Sequence, residues 1–309
     1  MESTNPRAVL VSGCSAGFGF RSARALARAG HLVIAGIRSH SRHGQRYAAE
    51  LTALRHAGHH VHLVPLDVDR DDSVDDAMAA ALRITGGRLD ALVNTAAYSV
   101  LGPLEACAPD QLLDMLNTNV GGALRLFRAA LPVMRTQGHG RIVQLTSGLG
   151  RVALPFMGVY AASAWAQEAF AEALAYEAAA FGVEVAILEP AGYRTGGQPR
   201  KPVGDTARLD AYQPALIAFG ERVMAAEPPE GDPEEVARAV VAAVEARKVP
   251  LRTPVGEAAR QLLAMRDTLS GPAFEREIRA RTGLLPVYED DEADGAAIEA
   301  RSRSGTEEA

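Results

Sequence analysis

Short β-branched runs alternate with longer alanine-rich runs through the first 190 residues, and this alternation constrains the fold more than any other feature. Ala8–Ser12, Leu32–Gly36, Val61–Leu66, Leu89–Val93, Arg141–Leu145 and Val183–Leu188 read as strands. A helix follows the glycine cluster near residue 17, and helical patterns lie around 42–57, 71–84, 109–137 and 157–181. Strand–helix alternation implies βαβ units with right-handed crossovers and a parallel sheet. The strands are nearly continuous apolar runs, as strands buried on both faces must be. The predicted fold class is α/β, a doubly wound parallel sheet with helices on both faces.

The pattern loosens after Pro190. Residues 191–231 hold glycines, prolines and one helical stretch near 208–226, and are placed as a substrate lid. A strong helix follows at 231–246, with Asp232 as its N-cap and Pro233 at its first position. Val249–Thr253 is a last strand; Pro250 donates no ladder hydrogen bond, so the strand lies at an edge or begins after it. Residues 1–287 are expected to form one domain. The acidic tail 288–309 is poor in apolar residues and is expected to be disordered.

The net charge is −6 and no polybasic run is present, which argues against nucleic acid or a membrane surface as partner. The N-terminus has no basic region followed by an apolar core, so the expected location is the cytoplasm. Cys14 and Cys107 suggest neither a disulfide scaffold nor a metal site. His56, His59, His60 and His62 cluster, but no acidic or cysteine partner completes a metal shell, so they read as a solvated loop group.

The first strand runs into Ser12-Gly13-Cys14-Ser15-Ala16-Gly17-Phe18-Gly19, and a helix follows. Glycines permit a tight turn and close backbone approach, and a helix N-terminus offers unpaired N–H groups to a pyrophosphate. Strand before and helix after are the context a dinucleotide site needs.

SGCSAGFG resembles the TGxxxGxG motif of the short-chain dehydrogenase/reductase family, with Ser12 in place of the threonine. Further segments resemble that family in order: LDVDRDDSV at 66–74, LVNTAAY at 92–98, Asn119, Ser147, Tyr160 and Glu189-Pro190. The resemblance covers most of the chain and implies a Rossmann-type sheet and a nicotinamide cofactor. It assigns Gly13, Ser15, Gly17, Phe18 and Gly19 to the phosphate turn, Asp67 and Val68 to the adenine, and Asn94, Pro190 and Thr195 to further cofactor contacts. Thr95, Ala97 and Ala191 depart from the family pattern. At the end of the second strand Ile37 stands where the family carries an aspartate, so no carboxylate repels a phosphate there. Arg38 can pair with a 2′-phosphate and Ser39 can add a hydrogen bond, which favours NADP(H) over NAD(H).

The spacing of Ser147 and Tyr160 matches the family's catalytic pair. Tyr160 is implied as proton donor and cofactor contact, Ser147 as the group orienting the substrate oxygen, and Asn119 as a residue whose backbone helps hold a water in a proton relay. The family motif is Y-x-x-x-K, yet this chain reads Tyr160-Ala161-Ala162-Ser163-Ala164. The family's lysine binds the nicotinamide ribose and lowers the tyrosine pKa; a methyl does neither. Neutral tyrosine still serves as the acid for reduction, whereas oxidation needs a tyrosinate. Lys201, Arg151 and Arg194 are the cations considered as substitutes. Phe156, Met157 and Tyr193 are placed around an apolar substrate pocket, and Ala166, Ala169 and Ala173 beside Trp165 fit a homodimer or homotetramer interface. Three functions stay open: an NADPH-dependent carbonyl reductase, which is favoured; a non-redox enzyme using neutral Tyr160; and a non-catalytic NADP(H)-binding subunit.

Overall fold

The computed structural model describes residues 6–38, 42–194, 204–224 and 231–284. The elements run β1 (Ala8–Val11), α1 (Gly17–Arg28), β2 (Leu32–Ile37), α2 (Arg42–His56), β3 (Val61–Pro65), α3 (Asp71–Thr85) and β4 (Ala91–Asn94). They continue with α4 (Pro109–Leu116), α5 (Gly122–Gln137), β5 (Gly140–Leu145), α6 (Gly158–Ala178) and β6 (Val183–Pro190). The last described elements are α7 (Thr206–Asp210), α8 (Gln213–Met224), α9 (Glu234–Glu245), β7 (Arg252–Val255), α10 (Glu257–Thr268) and α11 (Gly271–Thr282).

The seven strands form one sheet in the order β3-β2-β1-β4-β5-β6-β7, every pairing parallel. Strand alternation builds two cores from one sequence. Val9, Val11, Val33, Ala35, Val93 and Val143 point to the side covered by α1, α2 and α9, where Phe20, Leu26, Leu51, Val236 and Val240 meet them. Leu10, Ile34, Leu92, Ile142 and Ile187 point the other way, against Val74, Met78, Leu126, Phe127 and Leu174 of α3, α5 and α6. Each valine, leucine, isoleucine, methionine or phenylalanine among them contributes roughly 1.5–3 kcal/mol when fully buried. This two-sided demand is why the strands read as unbroken apolar runs.

The strand order reverses between β1 and β4, which opens a crevice at their carboxyl ends. Ser12 lies just past β1, and its hydroxyl bridges that crevice: it donates to Asn94 Oδ1 at 2.6 Å and accepts from Thr95 N at 3.1 Å. Asn94 then donates to Gln144 Oε1 at 2.8 Å, so β1, β4 and β5 are tied at the ends that carry the site.

The first six strands lie within two residues of the expected bounds. The last begins after Pro250, at Arg252, and lies at the sheet edge, where Pro254 leaves no ladder bond unmade. The single helix expected over 109–137 is instead interrupted by a π-helical turn at Asn117–Gly121. The stretch near 208–226 is two helices, α7 and α8. Pro233 occupies the N-cap of α9 rather than its first position, while Asp232 still accepts from Glu234 N at 3.0 Å, as a capping carboxylate does. The tail 288–309 lies outside the described residues.

Candidate active site

The turn after β1 is shaped by glycine. Gly13 and Gly17 have φ of +72° and +56°, a region costly for residues with a Cβ. A Cβ on Gly13 would lie 2.7 Å from Thr95 Oγ1, and one on Gly19 would meet both the Gly13 carbonyl and Thr95. Helix α1 starts at Gly17 with no side-chain cap from Ala16 and no acidic residue in its first turn. Its leading N–H groups and positive dipole end therefore carry no anion from the helix's own first turn. This arrangement fits a pyrophosphate.

At the end of β2, Arg38 is exposed and its N–H donates to Ser15 Oγ at 3.0 Å, joining the phosphate turn to the cationic loop. Asp67 and Val68 follow β3: Ser73 Oγ accepts from Asp67 N at 2.9 Å, Asp67 Oδ1 accepts from Asp69 N, and Val68 packs where a Cβ on Gly122 would stand. Asn94 is fully buried with its amide engaged inside the sheet, so it braces the crevice floor. Pro190 is buried at the end of β6. Ser39, Thr195 and Lys201 lie outside the described residues.

Ser147 lies just past β5 and caps the short turn Gly148–Gly150, its Oγ accepting from Leu149 N at 3.1 Å. Tyr160 sits in the first turn of α6, with its hydroxyl beside the Ser147 side chain. Burial pushes the tyrosine above its ordinary value of 10.0, and the Ser147 contact offsets this only in part. Tyr160 packs against an apolar cluster: Val100, Ala106, Met115 and Val159 are buried there, with Tyr98 and Leu209 against them. Phe156 packs on Phe219 and Tyr212 of the α8 region at centroid distances of 5.4 and 6.5 Å. Ala164, one turn beyond Tyr160, is fully buried. Asn119 stands in the π turn: its Nδ2 donates to Ser163 Oγ at 2.9 Å and to Tyr98 O at 3.0 Å, and its Oδ1 accepts from Tyr98 N at 3.0 Å.

Residues 7–202 match the family profile described as short chain dehydrogenase. The chain belongs to the short-chain dehydrogenase family. It is 34% identical to human 17-beta-hydroxysteroid dehydrogenase type 1 over 87% of this chain and 85% of the relative. It is 32% identical to bovine retinol dehydrogenase 8, covering 84% and 85%. A solved short-chain dehydrogenase from Streptomyces avermitilis superimposes with a TM-score of 0.74 at 30% identity, over 90% of this chain and 98% of that one.

Within this short-chain dehydrogenase, Tyr193 and Arg151 are held by partners distant in sequence. Tyr193 lies just past β6 and is partly buried. Its ring packs edge-on to Phe18 at 5.8 Å and fills the space that side chains on Gly231 and Gly256 would take, while its hydroxyl donates to Glu235 at 2.8 Å. Arg151 does not stand in for a lysine, because it pairs with Asp267 at 2.6 Å and lies 3.8 Å from Glu189.

Two groups escaped sequence reasoning. Gln167, buried on α6, donates to the Asn119 carbonyl at 2.8 Å. Behind Ser147, Thr146 donates to Glu168 Oε1 at 2.6 Å, Arg252 donates to Glu168 Oε2 at 2.9 Å, and Glu189 is buried with both carboxylate oxygens unbonded. Burial, and then the neighbouring Glu168, pushes Glu189 up to about 7 against the pull of Arg151 and Arg252. A polar residue on an otherwise apolar stretch is the signal that marks Gln167 and Glu168 in the sequence. Among the described residues no three His, Cys, Asp or Glu side chains group as metal ligands, and no helix is long and apolar enough to cross a membrane.

Proposed function

We propose that this protein reduces a carbonyl on a lipophilic small molecule with NADPH, using Tyr160 as the proton donor. The observation that carries this reading is a partly buried tyrosine beside Ser147 whose pKa is raised and which has no lysine one turn away. Such a hydroxyl stays protonated at neutral pH, the state needed to donate to an alkoxide. Ser147 stands beside it and orients the substrate oxygen between the two hydroxyls. The dinucleotide supplies hydride to the carbonyl carbon when bound. As the C=O π electrons move onto oxygen, Tyr160 transfers its proton there, and the tyrosinate regains one from solvent.

Gly13, Ser15, Gly17, Phe18 and Gly19 would hold the pyrophosphate, and Asp67, Val68, Asn94, Pro190 and Thr195 would border the rest of the cofactor. Arg38, with Ile37 in place of a carboxylate, favours a 2′-phosphate. The apolar cluster of Val100, Met115 and Val159 against which Tyr160 packs supports a hydrophobic substrate, in keeping with relatives named for retinol and a hydroxysteroid. A homodimer or homotetramer through α5 and α6 is supported by exposed Leu124, Trp165 and Phe170. The cytoplasm is the proposed location.

A non-redox reaction would use the same neutral tyrosine. Nicotinamide fluorescence titrations with NADPH and NADH, followed by assay of lipophilic ketones, separate the readings. The proposal expects tighter NADPH binding and one NADPH consumed per ketone. Turnover without net NADPH consumption favours the non-redox reaction, and binding of neither dinucleotide removes both cofactor assignments.

A further inference from the structure

Gln167 is an amide on the buried face of α6, with Ala164 one turn before it and Ala171 one turn after it. An amide in such a place costs stability unless its hydrogen bonds are made. Its Nε2 donates to the Asn119 carbonyl, which belongs to the π turn between α4 and α5. Among the described residues this is the side-chain bond from α6 to the backbone of that turn.

The bond is the first member of a chain that ends at the catalytic tyrosine. Gln167 fixes the Asn119 backbone at 2.8 Å. Asn119 donates to Ser163 Oγ at 2.9 Å, and Ser163 donates to the Tyr160 carbonyl at 2.8 Å. The same asparagine clasps the Tyr98 backbone by two 3.0 Å bonds, and Tyr98 packs in the apolar cluster that holds the Tyr160 ring. A π turn is a poor helical geometry that persists where other contacts hold it. With alanine at 164, no long side chain at that position helps to hold it.

We propose that Gln167 is a positioning residue for Tyr160. Through Asn119 and Ser163 it keeps the tyrosine hydroxyl beside Ser147, in the orientation that proton donation requires. This assignment rests on the reductase reading for its consequence in turnover, but not for its consequence in the folded protein.

The test is an ultraviolet titration of tyrosinate absorbance on full-length wild type, Gln167→Leu and Gln167→Glu, with Tyr160→Phe subtracted to isolate the Tyr160 step. Gln167→Leu keeps the volume but removes the donor. The wild-type midpoint is expected above the ordinary tyrosine range. In Gln167→Leu it should move down by about one unit as the hydroxyl gains solvent. Gln167→Glu gives a second arm should the leucine variant fail to fold: its carboxyl can donate to Asn119 only while protonated. It should therefore match wild type in reduction of 1-decalone at acid pH and lose kcat, with KM unchanged, as it ionises. The expected loss is about tenfold to a hundredfold.

An unchanged Tyr160 midpoint in a folded Gln167→Leu protein overturns the proposal, even if its melting temperature falls. So does a Gln167→Glu profile that parallels wild type at every pH. If wild type reduces no ketone, the reductase reading fails, and the tyrosinate titration still decides the role of Gln167.

Discussion

Tyr160 and Ala164 lie one helical turn apart on α6, the tyrosine hydroxyl beside Ser147 and the alanine wholly buried. The pair sets an acid beside a methyl group where a cation one turn along the helix would otherwise stand. Chemistry that consumes a proton is favoured over chemistry that needs a tyrosinate, and the following predictions come from that asymmetry and its surroundings.

Tyr160→Phe should lower kcat for ketone reduction by about 10²–10⁴-fold, the range for loss of a positioned acid. KM should change little, because the ring remains. Steady-state kinetics against a lipophilic ketone measures this. A kcat within a few-fold of wild type would remove Tyr160 from the reaction.

Tyr160 has a raised pKa in the folded protein, so the folded state holds its proton more tightly than the unfolded chain does. The resulting stabilisation is complete below the ordinary tyrosine pKa and is lost as pH rises through the folded value. The reduction rate should fall in the same alkaline window and stay level, as far as Tyr160 is concerned, at neutral pH. A neutral-pH limb that vanishes in Tyr160→Phe under single-turnover conditions would contradict this.

Glu189 is raised from 4.5 to about 7. Its folded pKa is the higher one, so stability attributable to it is fullest below about 4.5 and declines as pH rises toward 7. The decline amounts to about 3 kcal/mol as an order-of-magnitude figure. Glu189→Gln, which cannot ionise, should be more stable than wild type at pH 8 and similar to it at pH 4.5. Urea denaturation at the two pH values reads the difference directly. Equal stability differences at both would show that the carboxyl ionises as freely folded as unfolded.

Arg38→Ala should weaken NADPH by about 10–100-fold, the range expected for losing charge-assisted hydrogen bonds to a phosphate, and leave NADH nearly unchanged. Gly19→Ala should weaken both dinucleotides together, because its Cβ would meet the Gly13 carbonyl and force the turn open. Fluorescence titration of each variant with each cofactor distinguishes them. Equal losses for Arg38→Ala would end its assignment to the 2′-phosphate.

The sheet was legible because a strand covered on both faces must be apolar at every position, as in Leu10 between Val9 and Val11. The phosphate turn was legible because backbone geometry there demands glycine. The π turn was not, since the apolar spacing of LLDMLNTNVGGALRLF continues across it and one inserted residue leaves little trace. The packing of Tyr193 was not legible for a different reason: the space it fills is made by Gly231 and Gly256, far away in sequence. Gln167 escaped notice because its partner is a backbone carbonyl on another helix, which no periodicity records.

The most direct test of the account follows the transferred hydrogen. Wild type is incubated with a lipophilic ketone and NADPH deuterated at the transferred position of the nicotinamide, and the product is analysed by mass spectrometry. The account predicts one deuterium on the carbinol carbon, with the yield collapsing in Tyr160→Phe. Product formed without deuterium, or deuterated alcohol formed equally well by Tyr160→Phe, would contradict it.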